Sequence, residues 1–200
     1  MPKIEMCEQG SREWLLLKKG VISGSRAEDL LTPAKRKTYA RCLISELLCA
    51  EPPDSFTSYA MQWGLDHEDE ARTRYEFETV YRVKEIGFAW LDGFESRIGC
   101  SPDGIVGDGL IEIKCPSSKA HVDHILDGAP KAYHLQMQFQ MMVLDKAWCD
   151  FVSYDPRMTT GADYYCKRYP RNEGTHKELL SGAVDVLAMI EKAIGQIQGA

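Results

Sequence analysis

Two hundred residues with 44% hydrophobic side chains are enough for one domain with its own core, and no run of about 18 apolar residues or signal-peptide pattern points to a membrane or a secretory route. Seven cysteines, odd in number and without a C-x-x-C pair, argue against a disulfide scaffold, a zinc ribbon or a cysteine-held iron–sulfur cluster, so reduced thiols in a cytoplasmic chain are expected. The net charge of −6 is unevenly spread: from Arg12 to Arg41, Lys and Arg outnumber Asp and Glu by eight to three, which puts a basic region on an acidic body. Such asymmetry suits a local phosphate-binding surface, although a charge run is more often a solvated face.

Residues 1–10 read as a loose start. Ser11 caps a short helix over 12–19 that Gly20 ends, and a second short helix is predicted near 26–31 with Ser25 as its cap. A helix N-terminus at Ser25, near Lys18, offers backbone N–H groups to a phosphate, while capping alone also accounts for the serine. A helix over 38–49 ends at the Pro52-Pro53 break. The pattern over 57–78 is the longest helical one of the first half. Met61, Leu65, Glu68, Arg72 and Tyr75 recur there at three- and four-residue spacing. Glu68 therefore shares a stripe with apolar neighbours, where an acid either meets a cation or edges a cleft.

Strands are predicted over 83–91 and 97–106, followed by a hairpin partner starting at Leu110 after the Gly107-Asp108-Gly109 turn. Side chains alternate along a strand, so Glu112 and Lys114 share one face and Ile111 and Ile113 the other. Folding the hairpin back sets Asp103 beside Glu112. Two carboxylates and an ammonium on one sheet face need a cation or an anionic substrate among them. Hard oxygen ligands suit Mg²⁺. His121 and His124, three apart on a helix over 117–128, find no third zinc ligand at matching spacing and read as surface or packing residues. A strongly apolar helix over 132–144 carries Gln136, whose amide either serves a phosphate or catalytic water or satisfies a core group. Strands over 147–154 and 162–169 and a long amphipathic helix from residue 173 complete the chain.

Pro102-Asp103 with Glu112-Ile113-Lys114 resembles the PD-(D/E)xK nuclease signature, a short pattern that chance also produces. Its setting is more specific. Trp14, Gly20-Val21-Ile22-Ser23-Gly24-Ser25, Trp63-Gly64-Leu65-Asp66-His67-Glu68, Cys100-Ser101-Pro102-Asp103-Gly104, Glu112-Ile113-Lys114-Cys115-Pro116, Gln136-Met137-Gln138 and Tyr154-Asp155-Pro156-Arg157-Met158 follow in order. Together they resemble the phage lambda-type alkaline exonuclease family, the YqaJ-like viral recombinases.

The resemblance implies an α/β fold: a central mixed β-sheet flanked by helices, with a restriction-endonuclease-like core. It implies one nuclease domain over 1–200, with a basic helical part at about 11–50, a catalytic core at about 57–170 and a packing helix at about 173–198. It further implies Mg²⁺-dependent 5′→3′ digestion of one strand of linear duplex DNA to 5′-mononucleotides, with two ions expected and Mn²⁺ a substitute. A ring-shaped homotrimer, a phage single-strand annealing partner and action in a bacterial cytoplasm belong to the same expectation. Carried over by position, Asp103, Glu112 and the Ile113 carbonyl are metal ligands and Lys114 positions the attacking water. Glu68 serves a second ion through water, and Gln136 stands near the site. Lys18, Ser25 and Ser101 correspond to the 5′-phosphate pocket, with lysine at position 18 where arginine is expected. Met61 corresponds to a wedge at the terminal base pair and Lys35 to a groove contact. An endonuclease of the same superfamily, or a DNA-end clamp without catalysis, are the alternatives.

Overall fold

The computed structural model describes residues 2–51, 58–94 and 96–199. Its strands form two mixed four-stranded sheets flanked by helices. One sheet holds β1 (Lys3–Glu5), β2 (Ile22–Ser23), β3 (Phe88–Trp90) and β4 (Ile98–Cys100) in the order β1-β3-β4-β2; the other holds β5 (Gly104–Val106), β6 (Gly109–Lys114), β7 (Trp148–Tyr154) and β8 (Tyr164–Pro170) in sequence order. The strand predicted over 97–106 is thus split, and with it the expected single sheet. Pro102 has no N–H to continue a ladder, and the chain leaves one sheet at Cys100 to enter the other at Gly104. The start of the chain is not loose: β1 pairs antiparallel with β3, Ile4 opposite Ala89.

Helix α1 (Arg12–Lys18) is capped by Ser11, whose hydroxyl accepts from the Trp14 N–H at 3.2 Å. The second short helix is a 3₁₀ segment, Gly24–Leu30, and Ser25 does not cap it; its hydroxyl lies 3.2 Å from that of Ser23. Helix α2 (Pro33–Leu48) starts a full turn earlier than expected, because Thr32 caps it and Pro33 is at its first position. Helix α3 (Tyr59–Thr79) is capped by Ser58; the start predicted at residue 57 lies outside the described residues.

Strand β6 is central, parallel to β7 and antiparallel to β5, so Leu110 through Ile113 are buried on both faces. Ile111 and Ile113 pack with Ala71 and Tyr75 of α3, while Leu110 joins Met137, Phe139 and Met141 of α5 (Lys131–Leu144). Helix α6 (Glu173–Gln198) covers the 3₁₀ segment at Gly182, where a Cβ would stand 2.3 Å from the Leu30 carbonyl oxygen. Helix α4 (Ser118–Asp127) turns His121 and His124 inward, so both are buried packing residues and not surface ones. Their Nδ1 atoms lie 2.8 and 2.9 Å from the Ser153 hydroxyl of β7. Among the described residues no helix is long and apolar enough to cross a membrane.

Candidate active site

The site grows from the β5–β6 hairpin. Gly107, first of its two turn residues, has φ 58°, which a two-residue hairpin turn opening on glycine requires. Val106 then faces Gly109 and Gly104 faces Ile111, and the next step outward sets Asp103 against Glu112 and Ile113. Asp103 Oδ2 accepts from the Ile113 N–H at 2.6 Å, which fixes the carboxylate at the end of the hairpin. Among the described residues its other oxygen has no protein donor.

Glu112 is fully buried, yet its charge is well supported. Gln136 Nε2 donates to Oε1 at 2.6 Å, Gln140 Nε2 donates to Oε2 at 2.8 Å, and the Lys114 ammonium donates to Oε1. A carboxylate has about four acceptor positions, so one is left for a further partner. Lys114 Nζ also lies 5.2 Å from the centre of the Tyr133 ring. Burial alone would lower the lysine's pKa, but Glu112 and Asp103 outweigh it and hold the ammonium above its ordinary value. The Asp103 carboxyl is raised as well: burial first, and then the Glu112 charge, push it well above the usual range.

A cleft of about 580 Å³ opens over Asp103 and Lys114, lined also by Met61, Glu68, Pro116 and Tyr133, with Glu112 buried behind it. Glu68 enters it from α3, where Arg72 donates to Oε1 at 2.7 Å. Burial raises the Glu68 carboxyl, against the pull of Arg72 and Lys114. Among the described residues no three His, Cys, Asp or Glu side chains gather as a ready metal-binding set. The hairpin instead brings two carboxylates, Asp103 and Glu112, whose oxygens are hard donors. Asp103 is unsettled by burial and by its neighbour's like charge, a condition a divalent cation relieves, so these residues fit Mg²⁺ or Mn²⁺.

Next to this cleft, sharing Met61 as a wall, lies a second cavity of about 330 Å³. Lys18 and Ser25 line it. Ser101 does not: its hydroxyl accepts from Trp14 Nε1 at 2.8 Å and donates to the Gly87 carbonyl. Met61, on the wall between the two cavities, is 55% exposed. Lys35 lines neither cavity; it sits exposed on the first turn of α2, paired with Glu28 at 2.9 Å.

A sequence profile of the YqaJ-like viral recombinase domain matches residues 13–162. The chain belongs to the YqaJ-like viral recombinase family. Its structure is similar to that of the alkaline exonuclease LHK-Exo from Laribacter hongkongensis, with 38% sequence identity, a TM-score of 0.87, and 94% of this chain and 96% of that one covered. LHK-Exo in complex with dAMP matches over the same shares with a TM-score of 0.86. A phage-related exonuclease from Haemophilus somnus 129PT, 15% identical, shares the fold with a TM-score of 0.70 over 92% of this chain and 99% of that one. No curated protein sequence matches the chain.

Within this YqaJ-like chain, the hairpin and α3 bring together Asp103, Glu112, Lys114 and Glu68, and α5 adds Gln136. Sequence reasoning gave no role to Gln140, Tyr133 or Trp14. Gln140 had a signal, since it follows Gln136 by one helical turn and so shares its face. Tyr133 had the same signal, three residues before Gln136 on that face, whereas Trp14 had none, because its contacts to Lys18 and Ser101 depend on how the chain packs.

Proposed function

We propose that the chain is a metal-dependent 5′→3′ exonuclease that degrades one strand of linear duplex DNA to 5′-mononucleotides and leaves a 3′ single-stranded overhang. One observation carries the reading: Asp103 and Lys114 line one cleft, with the buried Glu112 bonded to Lys114 behind it, in a chain similar over nearly its whole length to an alkaline exonuclease. The dAMP held by LHK-Exo is of the chemical class that this reading assigns to the product.

Asp103, Glu112 and the Ile113 carbonyl are the residues that would hold Mg²⁺, or Mn²⁺ in its place, with two ions on this reading and Glu68 serving the second through water. A divalent cation bound there lowers the pKa of the attacking water and stabilises the leaving oxygen. Lys114, held between Glu112 and the Tyr133 ring, orients that water and offsets charge growing on the phosphoryl oxygens. Gln136 and Gln140 each grip one oxygen of Glu112 and so keep the carboxylate in a single orientation. Lys18 and Ser25 receive the 5′ phosphate, Met61 bears on the terminal base pair, and Lys35 reaches the DNA backbone from outside the clefts. A homotrimeric ring, a single-strand annealing partner and a bacterial cytoplasm complete the proposal, on the strength of the family alone.

The test is a digestion of linear and covalently closed circular duplex in Mg²⁺ or EDTA, with products sized over time. Mononucleotides from the linear form only, and only with Mg²⁺, are expected. Nicking or opening of the circle would point to an endonuclease, and release of nucleotides in EDTA would remove the metal from the mechanism.

A further inference from the structure

We infer that the hydroxyl of Tyr75, bonded to the buried Asp150, fixes α3 lengthwise on the second sheet and thereby holds Glu68 in the cleft: Tyr75 is a positioning residue that acts through Glu68. What Glu68 does there rests on the exonuclease reading; how α3 is held does not.

Glu68, Ala71 and Tyr75 lie at i, i+3 and i+7, so they share one face of α3, with about 10 Å between the first and the last. Ala71 and Tyr75 are buried against Ile111 and Ile113. Glu68 stands at the open end of the same stripe, half-buried on the rim between the cleft and a neighbouring cavity of about 540 Å³. Apolar packing is non-directional, so it sets the distance of a helix from a sheet more firmly than its register. A slip of one turn would carry Glu68 about 5.4 Å. Two further contacts are equally forgiving: the Arg157 guanidinium 4.1 Å from the centre of the Trp63 ring, and the ion pair of Arg74 with Asp163 at 3.6 Å.

The bond from Tyr75 is directional. Its hydroxyl donates to Asp150 Oδ2 at 2.8 Å, with both residues buried. Burial, and then the bond to Asp150, raise the pKa of that hydroxyl, so it remains a donor at any ordinary pH. Asp150 is itself braced. On β7 it stands opposite Ile111 of β6 and Arg168 of β8, and the Arg168 fork closes on it, Nε to Oδ1 and Nη2 to Oδ2, each at 2.8 Å. Arg168 lies in turn 3.4 Å from the centre of the Trp148 ring. That ring has room because Gly109 is opposite it, where a Cβ would stand 2.2 Å away. The acceptor that meets α3 is thus held by three strands, one residue from the pairing of Phe151 with Glu112. A buried carboxylate gains little stability over a hydrophobic pair of the same size; what it supplies to this apolar interface is a fixed register.

The test is Tyr75→Phe, which removes one hydroxyl and leaves Asp150 with both donors of Arg168. Amide hydrogen exchange in EDTA is expected to speed up about tenfold over α3 and to stay unchanged over β6 and β7. In single-turnover digestion with Mg²⁺, the rate at saturating linear duplex is expected to fall about tenfold with end affinity kept. The same substitution made in Glu68→Gln is expected to add no further loss. Exchange that is unchanged, or that rises evenly in all elements, would make the bond an ordinary core contact and overturn the inference. Selective loosening of α3 with a loss that repeats in full in Glu68→Gln would cut the link to Glu68 and overturn it too. A wild-type protein that releases no nucleotides would overturn the exonuclease reading instead, and the exchange pattern alone then decides whether Tyr75 fixes α3.

Discussion

Lys114→Ala is expected to lower turnover by about two to three orders of magnitude while leaving Mg²⁺ and DNA-end affinity near the parent values. The truncation removes the one ammonium at the catalytic cleft that contacts Glu112, but it leaves that carboxylate with two amide donors, Gln136 and Gln140. The buried charge therefore stays solvated by the protein, and the hairpin keeps its register through β7. With a competing cation gone, the carboxylate pair is if anything more available to a metal. Single-turnover digestion beside a Mn²⁺ titration separates the two effects. Turnover that survives would take Lys114 out of the chemistry, and metal affinity that falls with it would make the lysine a scaffold for the carboxylates.

Asp103→Asn is expected to abolish digestion, by about three orders of magnitude or more, and at the same time to make the metal-free protein more stable. The sign follows from the direction of its pKa. Burial and the Glu112 charge raise the folded-state value above that of an unfolded aspartate. Such a group stabilises the fold when protonated, and that contribution is lost as pH rises through the folded-state pKa. Ionising Asp103 in the fold is therefore costly unless a cation joins it. Asparagine removes the charge and still offers an oxygen to the Ile113 N–H. A gain of about 1 kcal/mol is expected, or ~2–4 °C in Tm for a chain of this size. In EDTA the variant melts above the parent; on adding Mg²⁺ the parent gains and the variant does not. A variant that melts lower in EDTA, or still gains from Mg²⁺, would contradict the account.

The hairpin of the candidate site was legible because each of its determinants is local. Gly107-Asp108 sets the turn, period-two alternation puts Glu112 and Lys114 on one face, and the count back across the turn reaches Asp103. Glu68 was legible for a related reason, as an acid on the stripe of α3 that ends in the buried Tyr75, although Met61 and Leu65 on the same stripe are exposed. What local pattern missed depends on packing between distant segments. The Ser25 region reads as an α-helix, but α6 at Gly182 lies directly on the Leu30 carbonyl, and the tighter 3₁₀ segment holds that close contact. The family resemblance places Ser101 in the phosphate pocket, and its hydroxyl is bonded to the Gly87 carbonyl and Trp14 Nε1. His121 and His124 give no hint of burial until Ser153, some thirty residues on, accounts for both rings.

The most direct measurement is anomalous diffraction from crystals soaked in Mn²⁺. The account predicts a peak in the catalytic cleft within coordination distance of carboxylate oxygens from both Asp103 and Glu112, with the Ile113 carbonyl facing the same ion. Manganese bound only elsewhere, or held by just one of these two side chains, would contradict it.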